Sequence, residues 1–200
     1  DEPPSPRRLD GRIPRDLAGP SGIALSGGRL YVADTGNDRI VVLDPDGSFV
    51  ETFGAELGGA SLFRPFSIAA VTAGDDYLYY GDRFIVCTDS LGSRLWKLSP
   101  EGRAIGLVRR SEIGGRGAFE HVAIDYYGNL YVTDRHAGLI HKFDRHLSYI
   151  AAIGANGAEG GPRFDEPRGI TIYRRFGQIF VSERAGAQYF WIGTDVLRFS

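Results

Sequence analysis

Four carboxylates recur at matching places in this chain. Asp34 lies in "YVADTGNDRI" (31–40), Asp89 in "IVCTDSLGSRL" (85–95), Asp134 in "YVTDRHAGLI" (131–140) and Glu183 in "FVSERAGAQY" (180–189). Each ends an apolar run and opens a polar turn. Carboxylates can act as general acids and bases or ligate calcium. A site, however, draws unlike residues to one point, and these four occupy equivalent positions 55, 45 and 49 residues apart. A carboxylate at a strand end can instead accept turn N–H groups and hold a hairpin shut. All four are read as structural turn acids.

Residues that break the pattern carry more chemical information. Alignment on the four acids matches Ser21-Gly22, Phe66-Ser67, Glu120-His121 and Arg168-Gly169 at the start of each unit's first strand. Glu120 and His121 are the catalytic candidates, as an acid–base pair. Arg168 offers a planar fork to a carboxylate or phosphate. Phe66, Ser67, Glu120, His121 and Arg168 are therefore candidates for ligand or partner contact. The competing reading is an ion pair between Glu120 and Arg168. A second departure is "DDYLYYGDR", part of the second unit's insert "TAGDDYLYYGD" (72–82). Its Tyr77, Tyr79 and Tyr80 are of a type that anchors interfaces, as are Tyr189 and Trp191 in "QYFWIG".

Other chemistries lack their residues. Zinc needs about three ligands converging at about 2 Å. Of His121, His136, His141 and His146, only His121 aligns with the strand starts. A calcium cage finds one acid there, Glu120. "DPDG" (44–47) lacks the remainder of a twelve-residue calcium loop. No G-x-S-x-G stands between a strand and a helix. Cys87 is the single cysteine, set in the apolar run "FIVCT"; it excludes an internal disulfide and a CxxC pair and reads as a buried small hydrophobe. No cofactor or metal is expected. A net charge of −2 argues against nucleic acid as partner, and no apolar run approaches the length needed to span a bilayer.

The elements that position these residues are short strands. In the first unit an apolar run (22–25) is followed by "RLYVAD", "RIVVLD" and "SFVETFG", with turn residues at Gly27-Gly28, Gly36-Asn37 and Asp46-Gly47. Glycine and Asn/Asp supply the positive φ of tight hairpins. Nothing has helical periodicity over a helix length. The fold class is all-β. Four strands in about 45 residues make one blade of a β-propeller. The predicted units are about 19–54, 62–108, 118–154 and 165–200, after an N-terminal arm over 1–18. The first strand of each blade would line the central channel, which places the aligned residues at its mouth.

"P-x-G-I-A", "G-x-L-Y-V-A-D-T-G-N-x-R-I" and "V-x-x-L-D-P-D-G", all within 20–47, resemble the NHL-repeat family of β-propellers. The resemblance covers nearly the whole chain after about residue 18 and is closest in the first unit. It extends more loosely to gluconolactonases, strictosidine synthases and peptidylglycine amidating lyases. Such propellers usually have about six blades, and four are encoded here. A small ring, an open arc and a fragment of a larger propeller all satisfy that count. The resemblance implies a non-catalytic protein-interaction or scaffold module, with another protein or further copies of itself as partner. Two alternatives stand beside it: a structural subunit whose incomplete propeller packs on neighbours, and a channel-mouth lyase or lactonase. The polar, proline-rich start "DEPPSPRRLDG" resembles a mature N-terminus, so an extracytoplasmic location is expected, periplasmic, secreted or at the cell surface.

Overall fold

The computed structural model describes residues 16–71, 79–89, 93–154, 164–174 and 176–184, and the backbone of 190–193. Its elements are strands and two short 3-10 turns, Thr35–Asn37 and Arg110–Ile113. Among the described residues no helix is long and apolar enough to cross a membrane.

Blade one comprises β1 (Gly22–Ser26), β2 (Arg29–Asp34), β3 (Arg39–Leu43) and β4 (Phe49–Phe53). A small hairpin follows, β5 (Glu56–Leu57) and β6 (Ala60–Ser61). Blade two comprises β7 (Pro65–Val71), β8 (Phe84–Asp89), β9 (Arg94–Leu98) and β10 (Ala104–Arg109). Blade three comprises β11 (Phe119–Ile124), β12 (Leu130–Asp134), β13 (Leu139–Phe143) and β14 (Tyr149–Ile153). Blade four shows β15 (Ile170–Tyr173), β16 (Gln178–Val181) and β17 (Phe190–Gly193). Each sheet is an antiparallel meander in chain order, four-stranded in the first three blades and three-stranded among the described residues of the fourth. Gly27 and Gly28, both at positive φ, close the two-residue turn between β1 and β2, the backbone that a hairpin twisting with its strands requires.

The apolar runs explain the stacking. A strand in the middle of a blade is covered on both faces, so its side chains are apolar at every step rather than at alternate ones. In β3, Ile40 and Val42 point toward blade two, while Val41 and Leu43 point away. In β9, Trp96 and Leu98 face blade one and Leu95 faces blade three. Three cores result. Blades one and two share Ile40, Ile85, Cys87 and Trp96. Blades two and three share Val86, Phe119, Leu130 and Phe143. Blades three and four share Tyr131, Ile140, Ile179 and Val181. The innermost strands β1, β7, β11 and β15 lie side by side in that order. Among the described residues no core joins blade four to blade one. The described residues do not close a four-blade ring; an open arc and a fragment of a larger propeller both satisfy this.

Candidate interaction surfaces

The mouth is built by a repeated break in the innermost hairpin. The pairing register shifts between Pro65 and Ile68 in β7 and between Phe119 and Val122 in β11. Such a bulge leaves its first residue's carbonyl without a partner in its own sheet. A hydroxyl on the facing strand catches the next N–H: Thr88 Oγ1 accepts from Ser67 N, Thr133 Oγ1 from His121 N and Ser182 Oγ from Gly169 N. The free carbonyls are used between blades. Phe66 O accepts from Ser21 Oγ of blade one at 2.7 Å, Glu120 O from Thr88 Oγ1 of blade two, and Arg168 O from Thr133 Oγ1 of blade three at 2.9 Å. At Ser67 the side chain joins in, its Oγ accepting from Val122 N of blade three. Ser67 is therefore committed to the frame. Gly22 is demanded here too, because a Cβ would lie 2.6 Å from Phe66 O.

The mouth side chains do not pair as the sequence led us to expect. Glu120 and Arg168 make no ion pair with each other. Glu120 lies 3.8 Å from Arg135, and Arg168 lies 3.9 Å from Glu166. Glu166 also takes Arg135 at 3.2 Å and Arg184 at 2.6 Å. The loop after β12 and the segment entering β15 supply Arg135 and Glu166, which intercept both expected partners. The Glu166 carboxyl is held below its ordinary value, first by the Arg184 hydrogen bond. A groove of about 370 Å³ runs alongside, lined by Arg135, His136, Gly138, Phe164 and Glu166. His121 packs edge-on to Phe66 of blade two, centroids 5.1 Å apart, and burial lowers its pKa. Its imidazole is thus neutral at pH 7. Among the described residues no group of three or more His, Cys, Asp or Glu is placed to hold a metal.

The four recurrent acids sit at one structural station, tying the outer end of each innermost hairpin to the segment that enters it. Asp34 accepts from Ala18 N at 2.7 Å, Asn37 Nδ2 at 2.8 Å and Arg39 Nε at 2.7 Å. Asp89 accepts from Phe63 N and Arg94, and Glu183 from Asp165 N. Asp134 has the fullest set: Ala118 N, Ala137 N, Arg110 Nε and His141 Nε2, at 2.5–3.3 Å. Asp34, Asp89 and Asp134 are fully buried. Burial pushes the Asp134 carboxyl up, but His141, Arg110 and the two N–H groups overcome it and hold it at about 2. His141 was legible only as a residue of a third strand; its buried bond to Asp134 needs the register Val132 opposite His141, which no spacing rule supplies.

The insert in blade two meets partners from blade three. Tyr77 lies outside the described residues, as does Tyr189, and no side chain is described for Trp191. Tyr79 N donates to Tyr126 O at 2.8 Å. The Tyr79 ring packs on Tyr80 at 4.8 Å and lies 6.1 and 6.0 Å from Tyr126 and Tyr127, which pack on each other at 5.1 Å. Arg145 lies over Tyr80 at 3.7 Å and pairs with Asp82 at 2.8 Å. Tyr79, Tyr80 and Tyr127 are exposed, Tyr79 by 62%. This cluster follows the far ends of β7 and β11, whereas Phe66 and His121 stand at their beginnings. The two candidate surfaces therefore lie at opposite ends of the channel strands. "YYGN" (126–129) reads in sequence as a plain turn, and nothing local marks Tyr126 and Tyr127 as half of a platform.

Comparison with known proteins agrees with this architecture. No curated protein matches the sequence. Among solved structures the chain is similar to a streptogramin B lyase (16% identity, TM-score 0.65, 89% of this chain and 52% of that one). It is also similar to the hydrazine synthase of Kuenenia stuttgartiensis (13%, 0.64, 95% and 50%) and the glutaminyl cyclase of Myxococcus xanthus (17%, 0.55, 86% and 71%). Identities this low establish fold alone. The chain spans about half the length of the first two. The NHL repeat family matches at residues 17–43, the stretch that supplies β1, β2 and β3, so the chain has a β-propeller fold with an NHL repeat in its first blade.

Proposed function

We propose that this protein is a non-catalytic interaction module of an extracytoplasmic compartment, binding another protein through the tyrosine platform of blades two and three. The observation that carries the reading is the cluster of Tyr79, Tyr80, Tyr126 and Tyr127, largely exposed yet held by a backbone hydrogen bond and the Arg145 contact. Tyrosine supplies large contact area at low entropic cost. A preorganised aromatic patch of this kind is what a protein hot spot requires. The mouth supports the non-catalytic side of the reading. Glu120 faces Arg135 rather than His121's ring, and the arginines there are engaged by Glu166.

The test is site-specific photo-crosslinking. A photoreactive residue at position 80, and a control at exposed Phe49 on blade one, are introduced into the full chain and exposed to extracytoplasmic extract. A discrete adduct at position 80, competed by unlabelled wild type and not by Tyr79→Ala/Tyr127→Ala, is expected. Adducts at both positions, or competition by the double variant, would remove the platform from the function.

The half-buried, neutral His121 favours one second reading, a channel-mouth lyase of the kind the streptogramin B lyase likeness evokes. Turnover of a streptogramin B or a simple lactone, with divalent metal supplied, that disappears in His121→Ala would establish that reading over the first.

A further inference from the structure

Blades one and two leave a cavity of about 220 Å³ between them, beside the turn from β1 to β2. Its wall holds one buried hydroxyl. Tyr31 is 4% exposed. Among the described residues its phenol reaches only Pro100 O, at 3.5 Å, beyond the usual span of an O–H···O bond. Burial, with Glu101 and Glu51 adding to it, raises the phenol pKa, so at pH 7 the group keeps a proton that it can donate.

Blade three carries the same tyrosine with its partner in place. Tyr131 lies opposite Ala123 as Tyr31 lies opposite Ala24. Its hydroxyl donates to Asp125 Oδ2 at 3.2 Å, and that carboxylate also accepts from Tyr127 N, Asn129 N and Asn129 Nδ2. Asp125 follows Ile124, the last residue of β11 to pair with β12; in blade one the residue that follows the matching Leu25 is Ser26. Serine stands where the acid would be, and Ser26 lines the cavity. The phenol has kept its burial and lost its carboxylate.

Charges of both signs complete the lining. Arg29 and Glu51 come from blade one, Arg83 and Glu101 from blade two, and all four act on the Tyr31 phenol. Arg29 is shared with Asp44, and Arg83 is exposed on the rim. Two arginines balance two carboxylates, a lining that complements a ligand carrying both charges; a simple anion would meet the two glutamates. At about 30 Å³ per water the space equals about seven waters, below the range that holds drug-sized ligands.

We infer that this cavity binds a small free amino acid. The ligand's carboxylate accepts from Tyr31 as Asp125 accepts from Tyr131 and lies toward Arg83, while its ammonium lies toward Glu51 and Glu101. The ligand thereby returns to blade one the acid that Ser26 does not supply. This site is separate from the tyrosine platform, and neither reading depends on the other.

Titration calorimetry on the full chain tests it, with the twenty free L-amino acids as probes. At least one of the small ones is expected to bind with a Kd below about 5 mM. Its N-acetyl derivative, which lacks the ammonium, and its amide, which lacks the carboxylate, should each bind at least tenfold more weakly. Ser26→Asp restores the acid beside the phenol, a pairing that blade three already folds with, and Tyr31→Phe removes the donor. Each should keep the β circular-dichroism spectrum and weaken binding at least tenfold. Failure of every amino acid to bind in that range, equal binding of the N-acetyl or amide derivative, or binding that survives both variants would overturn the inference.

Discussion

Asp134→Asn isolates one charge in the frame of blade three. The carboxylate is fully buried and accepts from two backbone N–H groups, Arg110 Nε and His141 Nε2. The amide keeps the shape but leaves the Arg110 guanidinium, 4% exposed, without a counter-charge. Breaking a buried pair in this way costs about 3–5 kcal/mol. In a chain of this size each kcal/mol lowers Tm by about 2–4 °C, so a fall of about 6–20 °C at pH 7 is expected.

The pH dependence provides the control. The folded pKa of Asp134 is depressed from 3.8 to about 2, which corresponds to about 2.4 kcal/mol at about 1.36 kcal/mol per unit. A depressed carboxylate pKa means that the unfolded chain takes up the proton first as pH falls. The contribution is present in full above about pH 5 and is lost through the interval from 3.8 down toward 2. The amide of the variant does not titrate. Urea unfolding of both proteins at pH 7 and pH 2.5 should therefore show the gap between them shrinking by about 1.5–2 kcal/mol. A gap that stays constant with pH, or a cost at pH 7 below about 1 kcal/mol, would refute the assignment of Asp134 as the charged keystone of this hairpin.

Two other perturbations probe the frame. Gly22→Ala places a methyl 2.6 Å from the Phe66 carbonyl, against backbone on both sides, and should cost about 1–3 kcal/mol in chemical unfolding; a neutral outcome would mean that blades one and two are not in register at the mouth. Cys87 is fully buried and burial raises its thiol pKa, so a disulfide reagent at pH 8 should titrate no thiol in the native protein and one in urea, whereas rapid native reaction would place this residue outside the core.

Propeller architecture was legible because it is written twice over, in period and in turn chemistry. "RLYVAD", "FIVCTD" and "LYVTD" are apolar at successive positions because β2, β8 and β12 are covered by blades on both sides. The aligned strand starts were legible for the same reason: the acids set a register that the pairing of Ile23, Ile68, Val122 and Ile170 with Val32, Cys87, Val132 and Val181 reproduces. Partners across blades were not. Arg135 and Glu166 sit in loops of different blades, and their claim on Glu120 and Arg168 depends on how two blades pack. Tyr126 and Tyr127 meet the insert only because β7 and β11 are neighbours in space.

The same distinction separates frame from function at the mouth. Thr88 and Thr133 each accept from their own bulge's N–H and spend their proton on the next blade's carbonyl, so neither has a donor left for a ligand. What can vary around that ring is the side chain of Phe66, Glu120 and Arg168, because the backbone carbonyl of each carries the junction, whereas Ser21 spends its own hydroxyl on one. Such a ring can change part of its lining while its backbone junctions stay in place. The lining in this chain is one aromatic, one paired acid and one half-exposed arginine. The Glu120 carboxylate faces Arg135 and the His121 imidazole packs on Phe66, so the two adjacent residues are each held by a different neighbour.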